Sequence, residues 1–496
     1  MQLIVNIFVS LHALQKELRL RFVTTLILSL VSLCSFSQER AHLLFTGEIN
    51  VGNNYSVKNQ PEIDASKLFS NVASELQSST ATFSTLGTVF IDVAGTPNRA
   101  NLVGSHKLIR MSEAYGSAIA KSGFTALNLA NSHVSDFGIE GIQGTINVMK
   151  ENGMEYAGIK ALKDYTIFER KGLTYGFVAF GSSVHAPSMA DSTTIRKVVA
   201  GLDDKCDIVV VAFSFDGNNS AIHTATATRP NKDAYMNNAH IFAHTCIDAG
   251  ADIVYGNGYN LPQPIELYKD RLIIYGLGNF CTPYGVSYTG ELGAAPIIET
   301  NLYADGTFES GKIVSYKQTN ASGPKADPTL EAVKIIKSQT LRQFPKTELK
   351  IEDNGNITST SETAYAFALR LLKEAERHKG KPYRMGSTGP ATFDCSGFTS
   401  YVFGKMGITL KRTAAEQYTM GTTVDKDNLR PGDLVFFTRS SVRGVGHVGI
   451  VYSVDKKTGS FKFIHASTSK GIAIDDFATS AYYIRRYVGA KRVINK

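Results

Sequence analysis

The sequence predicts two domains of unequal size, an α/β domain over residues 40–320 and a smaller α+β domain over residues 359–496. Three observations carry this. A chain of 496 residues exceeds what one hydrophobic core usually holds. Its first part alternates apolar strand-like runs with longer segments of helical period. A polar stretch bearing proline and glycine then separates those elements from a second series. With 43% hydrophobic and 19% charged residues the composition is that of a globular protein and excludes disordered and fibrous classes. The net charge of +8 suits approach to an anionic polymer, though a solvated basic surface explains it as simply.

The N-terminus reads as a targeting signal. Arg19 and Arg21 precede the apolar run FVTTLILSLVSL, and Ser35 and Ser37 hold the small-residue positions before a cleavage site. Residues 1–37 are therefore expected to be a signal peptide of an exported protein, destined for the periplasm, the cell envelope or the medium. Spanning a bilayer takes about 20 apolar residues, so no stable membrane span is expected once the signal is removed. Residues 1–18 make a long leader, which a start codon called too far upstream would also explain. Leu33 before Cys34 is too large for a lipoprotein signal. Cys206, Cys246, Cys281 and Cys395 lack the short spacing of a metal or redox pair, and no disulfide scaffold is indicated.

Apolar runs HLLFTG, TALNLAN, CDIVVVAFSF and RLIIYGLGNF predict strands of the first domain. Helices are predicted from His106 to Ser122 and from Asn231 to Ala249, each followed by a glycine, Gly123 and Gly250, where a left-handed residue ends a helix. The stretch NASGPKADP marks a boundary, and residues 321–358 read as a linker containing a short helix from Thr329 to Gln343. Ser359 and Glu362 stand at capping-box spacing before AYAFALRLLKEAERHKG, which predicts the first helix of the second domain. The chain contains neither internal repeats nor low-complexity tracts.

Within the second domain, FDCSGFTSYVFGKMG places Cys395 just before a predicted helix whose buried face is Phe398, Tyr401, Val402 and Met406 and whose stop is Gly407. A helix N-terminus carries unpaired N–H groups and partial positive charge, which favour a thiolate and can bind a developing oxyanion. His447 opens the strand HVGIVYSV, and His465 ends the run FKFIH. Adjacent strands can present both imidazoles to the cysteine, one as base and the other fixing its tautomer. Taken singly, each residue has a bland explanation, a buried thiol or a structural histidine.

Jointly, GKPYRMG, FDCSGFTSYVF, RTAAEQ, LRPGDLVFF, GHVGIVY and FIHAS resemble the NlpC-type, papain-like cell-wall cysteine peptidases, over nearly all of residues 359–496. The resemblance implies Cys395 as nucleophile, His447 as general base and His465 as the third, polar member of a triad. It also implies Tyr383 near the oxyanion or the substrate amine, and Asp394 and Ser396 as flanking substrate contacts. Gly432 and Asp433 read as turn and strand-entry residues. The implied activity is cofactor-free hydrolysis of peptidoglycan stem peptides or muropeptides, at a bond between γ-D-glutamate and a diamino acid, with no nucleic-acid partner. Poly-γ-glutamate or a γ-glutamyl peptide is an alternative substrate, and a non-catalytic wall- or capsule-binding protein an alternative class. The sequence leaves the oligomeric state open.

In the first domain, LANSHVSDFGIEGI and GADIVYGNGYNLPQPIELYKDRLIIYGLGNF resemble the CapA family, which implies a calcineurin-like metallophosphoesterase sandwich. A two-metal centre needs carboxylate, asparagine and histidine ligands converging on ions about 3.5–4 Å apart. The family's pattern is degraded: Glu48 follows Gly47, Thr85-Leu86-Gly87 replaces an acidic segment, only His133 survives in its segment, and Gly256 to Asn260 contain no histidine. No metal ligands are therefore assigned. The domain is expected either to bind envelope polymer or position its neighbour, or to keep a rearranged hydrolytic site using His133.

Overall fold

The computed structural model describes residues 40–54, 64–92, 109–131, 133–214, 232–283, 289–318, 323–439, 442–455 and 458–494. The expected signal peptide 1–37, with Cys34, lies outside them.

The first domain is a four-layer sandwich whose logic is visible in single strands. In Ala41–Ile49, Leu43 and Phe45 point to one side and Leu44 to the other, yet all three are buried. Burial on both faces is what a sheet covered on both sides demands. Leu43 and Phe45 meet the second sheet through a core that includes Phe83, Phe177, Val210 and Tyr255. Phe45 stacks on Phe83 at 5.3 Å, and Phe83 meets Phe177 across the sheets at the same distance. Leu44 faces outward to a core shared with Ile119, Ile142 and Ile146, from helices Tyr115–Lys121 and Gly138–Glu151. On the far side of the second sheet, Val209 and Val211 pack against Val199 and Phe242 of helices Ser192–Asp203 and Lys232–Asp248.

The first sheet runs Leu349–Ile351, Asn356–Ser359, Phe308–Val314, Ile297–Leu302, Ala41–Ile49, Ala81–Leu86, Ala126–Asn128 and Glu155–Ala157, with Asn279–Cys281 also pairing with Ala41–Ile49. The second runs Ile265–Tyr268, Arg271–Ile274, Ile253–Asn257, Ile208–Ser214, Leu173–Gly181 and Tyr165–Arg170. Parallel neighbours such as Ile208–Ser214 and Ile253–Asn257, joined through the helix Lys232–Asp248, match the α/β reading. That helix is the one predicted over 231–249, and Gly250 behind it takes φ +109°.

Three local expectations are corrected. The helix predicted over 106–122 begins only at Tyr115. Ile109–Met111 instead pairs with Val89–Phe90 and Asn53–Asn54, because ladder hydrogen bonds override a helical period that is equally legible there. The stretch 321–358 is not an open linker. Its helix Glu331–Gln343 buries Ala332, Val333 and Ile336 in the inter-sheet core, and strands Leu349–Ile351 and Asn356–Ser359 extend the first sheet. Finally, Ser359 ends a strand opposite Leu349 and is not a helix cap; Thr363 caps the helix Ala364–Glu376 by accepting from the Ala366 N–H at 3.0 Å.

The second domain packs helices against an antiparallel six-stranded sheet ordered Thr422–Val424, Tyr487–Arg492, Leu434–Arg439, Val442–Asp455, Ser460–Ser467 and Gly471–Asp476. Period-two alternation sorts its residues. Phe436, Val448, Ile450, Ile464 and Ala466 share a core with Phe398 and Val402 of the helix Cys395–Lys405. Val435, Phe437, Val451, Phe461 and Phe463 form the other cluster. A fully buried side chain of this size contributes about 1.5–3 kcal/mol, so this seam fixes the Cys395 helix firmly on the sheet. The structural reading of Gly432 and Asp433 holds: Gly432 has φ +90°, and Asp433 is buried in a two-point pairing with Arg492 at 2.8 Å.

Candidate functional site

Cys395 is the first residue of its helix and is 5% exposed. Asp394 is the N-cap, its Oδ1 accepting from the Gly397 N–H at 2.6 Å and its Oδ2 from the Gly386 N–H at 2.9 Å. Arg412 clasps the same carboxylate with Nη1 at 3.2 Å and Nη2 at 2.6 Å, and donates to Ser396 Oγ at 3.1 Å. Burial pushes the Asp394 carboxyl up, but the Arg412 and backbone hydrogen bonds outweigh it and hold the group below its usual range. The Arg412 guanidinium also lies close enough to Cys395 to interact with its charge. Asp394 and Ser396 are both buried and engaged in this cap. Tyr383 is partly exposed, its hydroxyl 3.7 Å from the Met385 sulfur.

The two histidines lie on neighbouring strands. Register places Ile450 opposite Ile464 and Phe437 opposite His447, which sets His447 and His465 diagonally across the pair. A Cβ on Gly449 would come within 2.7 Å of the Phe463 ring and 3.1 Å of the His465 Cβ, so the glycine makes room for the contact. His447 Nε2 and His465 Nδ1 are 3.0 Å apart. His465 Nε2 is in turn 3.0 Å from Asp475 Oδ2, and the hydroxyl of Tyr483 approaches the same nitrogen at 3.4 Å. Lys470 Nζ holds the other Asp475 oxygen at 2.7 Å. The hydrogen bond to His465, aided by Lys470, keeps the Asp475 carboxyl far below the usual carboxylate range.

Asp475 was not among the predicted residues. Its signal was the alternation GIAIDD, in which Ile472 and Ile474 take one face and leave Ala473 and Asp475 on the other, beside His465.

The chain entering the Cys395 helix is stitched to this outermost strand. Gly380 N–H donates to Ile472 O and Ile472 N–H to Lys381 O, both at 2.9 Å, and Tyr383 then bridges to Phe393. A cavity of about 530 Å³ opens beside His447, lined also by Ser467, Lys470, Asp475 and Tyr483; His465 and Cys395 are not part of its lining. The other described thiols, Cys206, Cys246 and Cys281, are buried like Cys395, and burial pushes the Cys246 thiol well up and that of Cys281 up to about 12.

In the first domain, the strand ends where the resemblance implies metal ligands carry a different network. Asn128 and Asn257 both donate to Thr85 Oγ1, at 3.2 and 2.7 Å, and Asn131 donates to Leu86 O. Glu48 lies against Gly87, and burial pushes its carboxyl up. His133 is paired with Asp136 at 2.7 Å. Amide side chains thus tie these strand ends together, with the Glu48 carboxylate and the His133 imidazole close enough to interact beside them. Elsewhere in the domain, His240, His244 and Glu266 bring three potential ligand atoms within 4.8 Å of one another. The sequence reading passed over this trio, although His-x-x-x-His on a predicted helix was legible.

Comparisons with known proteins agree with both halves. A Listeria grayi protein named "Probable endopeptidase p60" is 43% identical over 118 residues, 24% of this chain and 21% of the relative. The "Gamma-DL-glutamyl hydrolase" of Bacillus subtilis (strain 168) is 36% identical over 125 residues, 25% of this chain and 29% of the relative. The "Murein DD-endopeptidase MepS/Murein LD-carboxypeptidase" of Escherichia coli (strain K12) is 38% identical over 128 residues, 26% of this chain and 63% of the relative. The chain thus spans about a fifth of the length of the first of these relatives and under two thirds of the others. Residues 42–284 match the bacterial capsule synthesis protein PGA_cap family, and residues 380–492 match the NlpC/P60 family.

Proposed function

We propose that the second domain is a cysteine peptidase acting on peptide stems of bacterial cell wall, with Cys395 as nucleophile. The observation that carries this reading is the chain His447, His465, Asp475. An ionised Asp475 accepts from His465 Nε2–H, which leaves His465 Nδ1 as an acceptor for His447 Nε2–H. The tautomers are then fixed in series, and the remaining lone pair is on His447 Nδ1. That nitrogen takes the Cys395 proton as Sγ attacks the scissile carbonyl. It returns the proton to the departing amine, leaving a thioester that water hydrolyses.

The helix start favours both the thiolate and the oxyanion. Asp394, Ser396 and Arg412 hold that start in place, and Tyr383 is the residue of the flanking set able to meet substrate. No cofactor enters the scheme. Relatives named for murein and for endopeptidase p60 support a cell-wall peptide as the target; the γ-D-glutamyl-diamino acid bond is the one implied by the resemblance of residues 359–496.

The PGA_cap match and the γ-DL-glutamyl hydrolase relative favour a second substrate reading, poly-γ-glutamate. The four-layer sandwich is the architecture a calcineurin-like fold implies. Its amide-rich strand ends support a domain that binds polymer or positions the peptidase without the ancestral metal centre. Wall- and capsule-related families also support an envelope or extracellular location, reached by the export signal read in residues 1–37.

Mass analysis of muropeptides and of poly-γ-glutamate fragments, after incubation with the wild type and with Cys395→Ala, tests this. Stem cleavage lost in the variant supports the proposal. Equal cleavage by both proteins overturns it, and products from poly-γ-glutamate alone select the second substrate.

A further inference from the structure

We infer that His240, His244 and Glu266 form a binding site for a divalent transition metal of the zinc type, separate from the peptidase and from the strand ends of its own domain. The two histidines are one helical turn apart on Lys232–Asp248, so both rings project from the same face, with centroids 3.9 Å apart. Glu266 reaches them from the strand Ile265–Tyr268. Its Oε2 is 3.1 Å from His244 Nε2 and 3.9 Å from His240 Nε2.

Zinc bonds to imidazole nitrogen and carboxylate oxygen are about 2.0–2.2 Å, which puts neighbouring tetrahedral ligand atoms about 3.3–3.5 Å apart. The His244 to Glu266 spacing already approximates this, and His240 has only a short swing to complete it. At 42% side-chain exposure His240 is free to make that swing, and it leaves the fourth coordination position open to water.

The surroundings are those of a supported site. The buried Tyr275 hydroxyl donates to Glu266 Oε2, and Tyr268 stacks on His244 at 3.6 Å with planes 17° apart. Partners behind the ligands fix carboxylate and ring orientation in just this way. Two imidazoles and one carboxylate select zinc, nickel or copper over calcium or magnesium, which prefer all-oxygen shells. A bound ion would tie the helix to the strand.

The test uses the full chain carrying Cys395→Ala, which removes the thiolate as a competing ligand. Zinc is titrated by calorimetry, and cobalt(II) by visible absorption. The expected result is a single zinc equivalent and tetrahedral cobalt bands. His240→Ala abolishes both, and Tyr275→Phe weakens zinc by about ten- to a hundredfold while the far-UV circular dichroism is unchanged. Absence of binding overturns the inference. So does an equivalent that persists in His240→Ala, since the ion would then sit at His133 or at the His447 and His465 pair.

Discussion

Replacing Asp475 by asparagine tests the tautomer argument at its source. The substitution keeps the shape and removes the charge. A carboxylate can only accept from His465 Nε2 at 3.0 Å, whereas an amide can also donate there. When it donates, His465 carries its proton on Nδ1, and His447 Nε2 must accept across the 3.0 Å contact. The proton of His447 then occupies Nδ1, the atom assigned to receive the Cys395 proton.

The lost interaction is a hydrogen bond to a charged group, worth about 1.5–3 kcal/mol, and the two tautomers differ by that order. Each 1.36 kcal/mol is about tenfold in rate, so kcat/KM should fall by about ten- to a hundredfold. The loss should be smaller than for a carboxylate touching the base itself, which reaches about 10⁴ in kcat for serine proteases. Steady-state hydrolysis of a purified muropeptide across a pH series is the assay. The carboxylate also stabilises positive charge on the imidazole pair, so the acid limb of the profile should move to lower pH in the variant. Activity within twofold of the wild type, with an unmoved acid limb, would refute the relay.

Three further outcomes follow from single contacts. Gly449→Ala should cost at least tenfold in kcat with the fold retained, because its Cβ would meet the Phe463 ring at 2.7 Å and displace His465; unchanged kinetics would remove Gly449 from the site's geometry. Asp327 braces the start of the helix Glu331–Gln343, whose N-cap is Leu330, accepting from Thr329 and Glu331 N–H groups at 3.0 and 2.8 Å. Burial raises its carboxyl, but hydrogen bonds from Thr329, Glu331 and Ser315 prevail and hold it far below 3.8, so its stabilisation is complete above that value and fades as pH falls through the lower folded-state range. Asp327→Asn should destabilise by about 1–2 kcal/mol in urea melts at pH 7, and a gap that fails to narrow below pH ~4 would contradict the assignment. Iodoacetamide applied to the native protein near neutral pH should label Cys395 and spare Cys281, as peptide mass mapping would show; comparable labelling of Cys281 would deny the burial that pushes its thiol to about 12.

How far the sequence could be read depended on whether the determining interaction was local. The Cys395 helix was legible because its apolar face and its stop at Gly407, φ +80°, are written within a dozen residues. The strands bearing His447 and His465 were legible for the same reason. Their mutual register was not, since it is fixed by Gly449 and by ladder partners on either side. The stretch 321–358 looks like a connector because proline, glycine and polar residues dominate its ends, yet its helix meets Ile265–Tyr268 and its strand Asn356–Ser359 pairs with Phe308–Val314, far along the chain. Ser359 illustrates a related limit: capping-box spacing lost to a hairpin pairing with Leu349, itself anchored on Phe308–Val314 farther along the chain.

The proposed relay also accounts for the position of its charged end on an outermost strand. His465 is 0% exposed, and a buried imidazole leaves neither nitrogen without a partner except at a cost of about 1–3 kcal/mol. One partner is His447, at the rim of the cavity. The other has to be an acceptor that stays ionised, and a carboxylate deep in the sheet would lose that charge to desolvation. On Gly471–Asp476 the carboxylate keeps one oxygen for His465 and offers the other to Lys470, whose side chain is 60% exposed. Negative charge is thereby held beside an exposed lysine, with the oriented ring of His465 buried beneath it. If Lys470→Met left both activity and its acid limb unchanged, Asp475 would be anionic without help and the lysine merely a surface partner; a modest loss that salt does not deepen is the result this arrangement requires, because the pairing it removes is already screened by water.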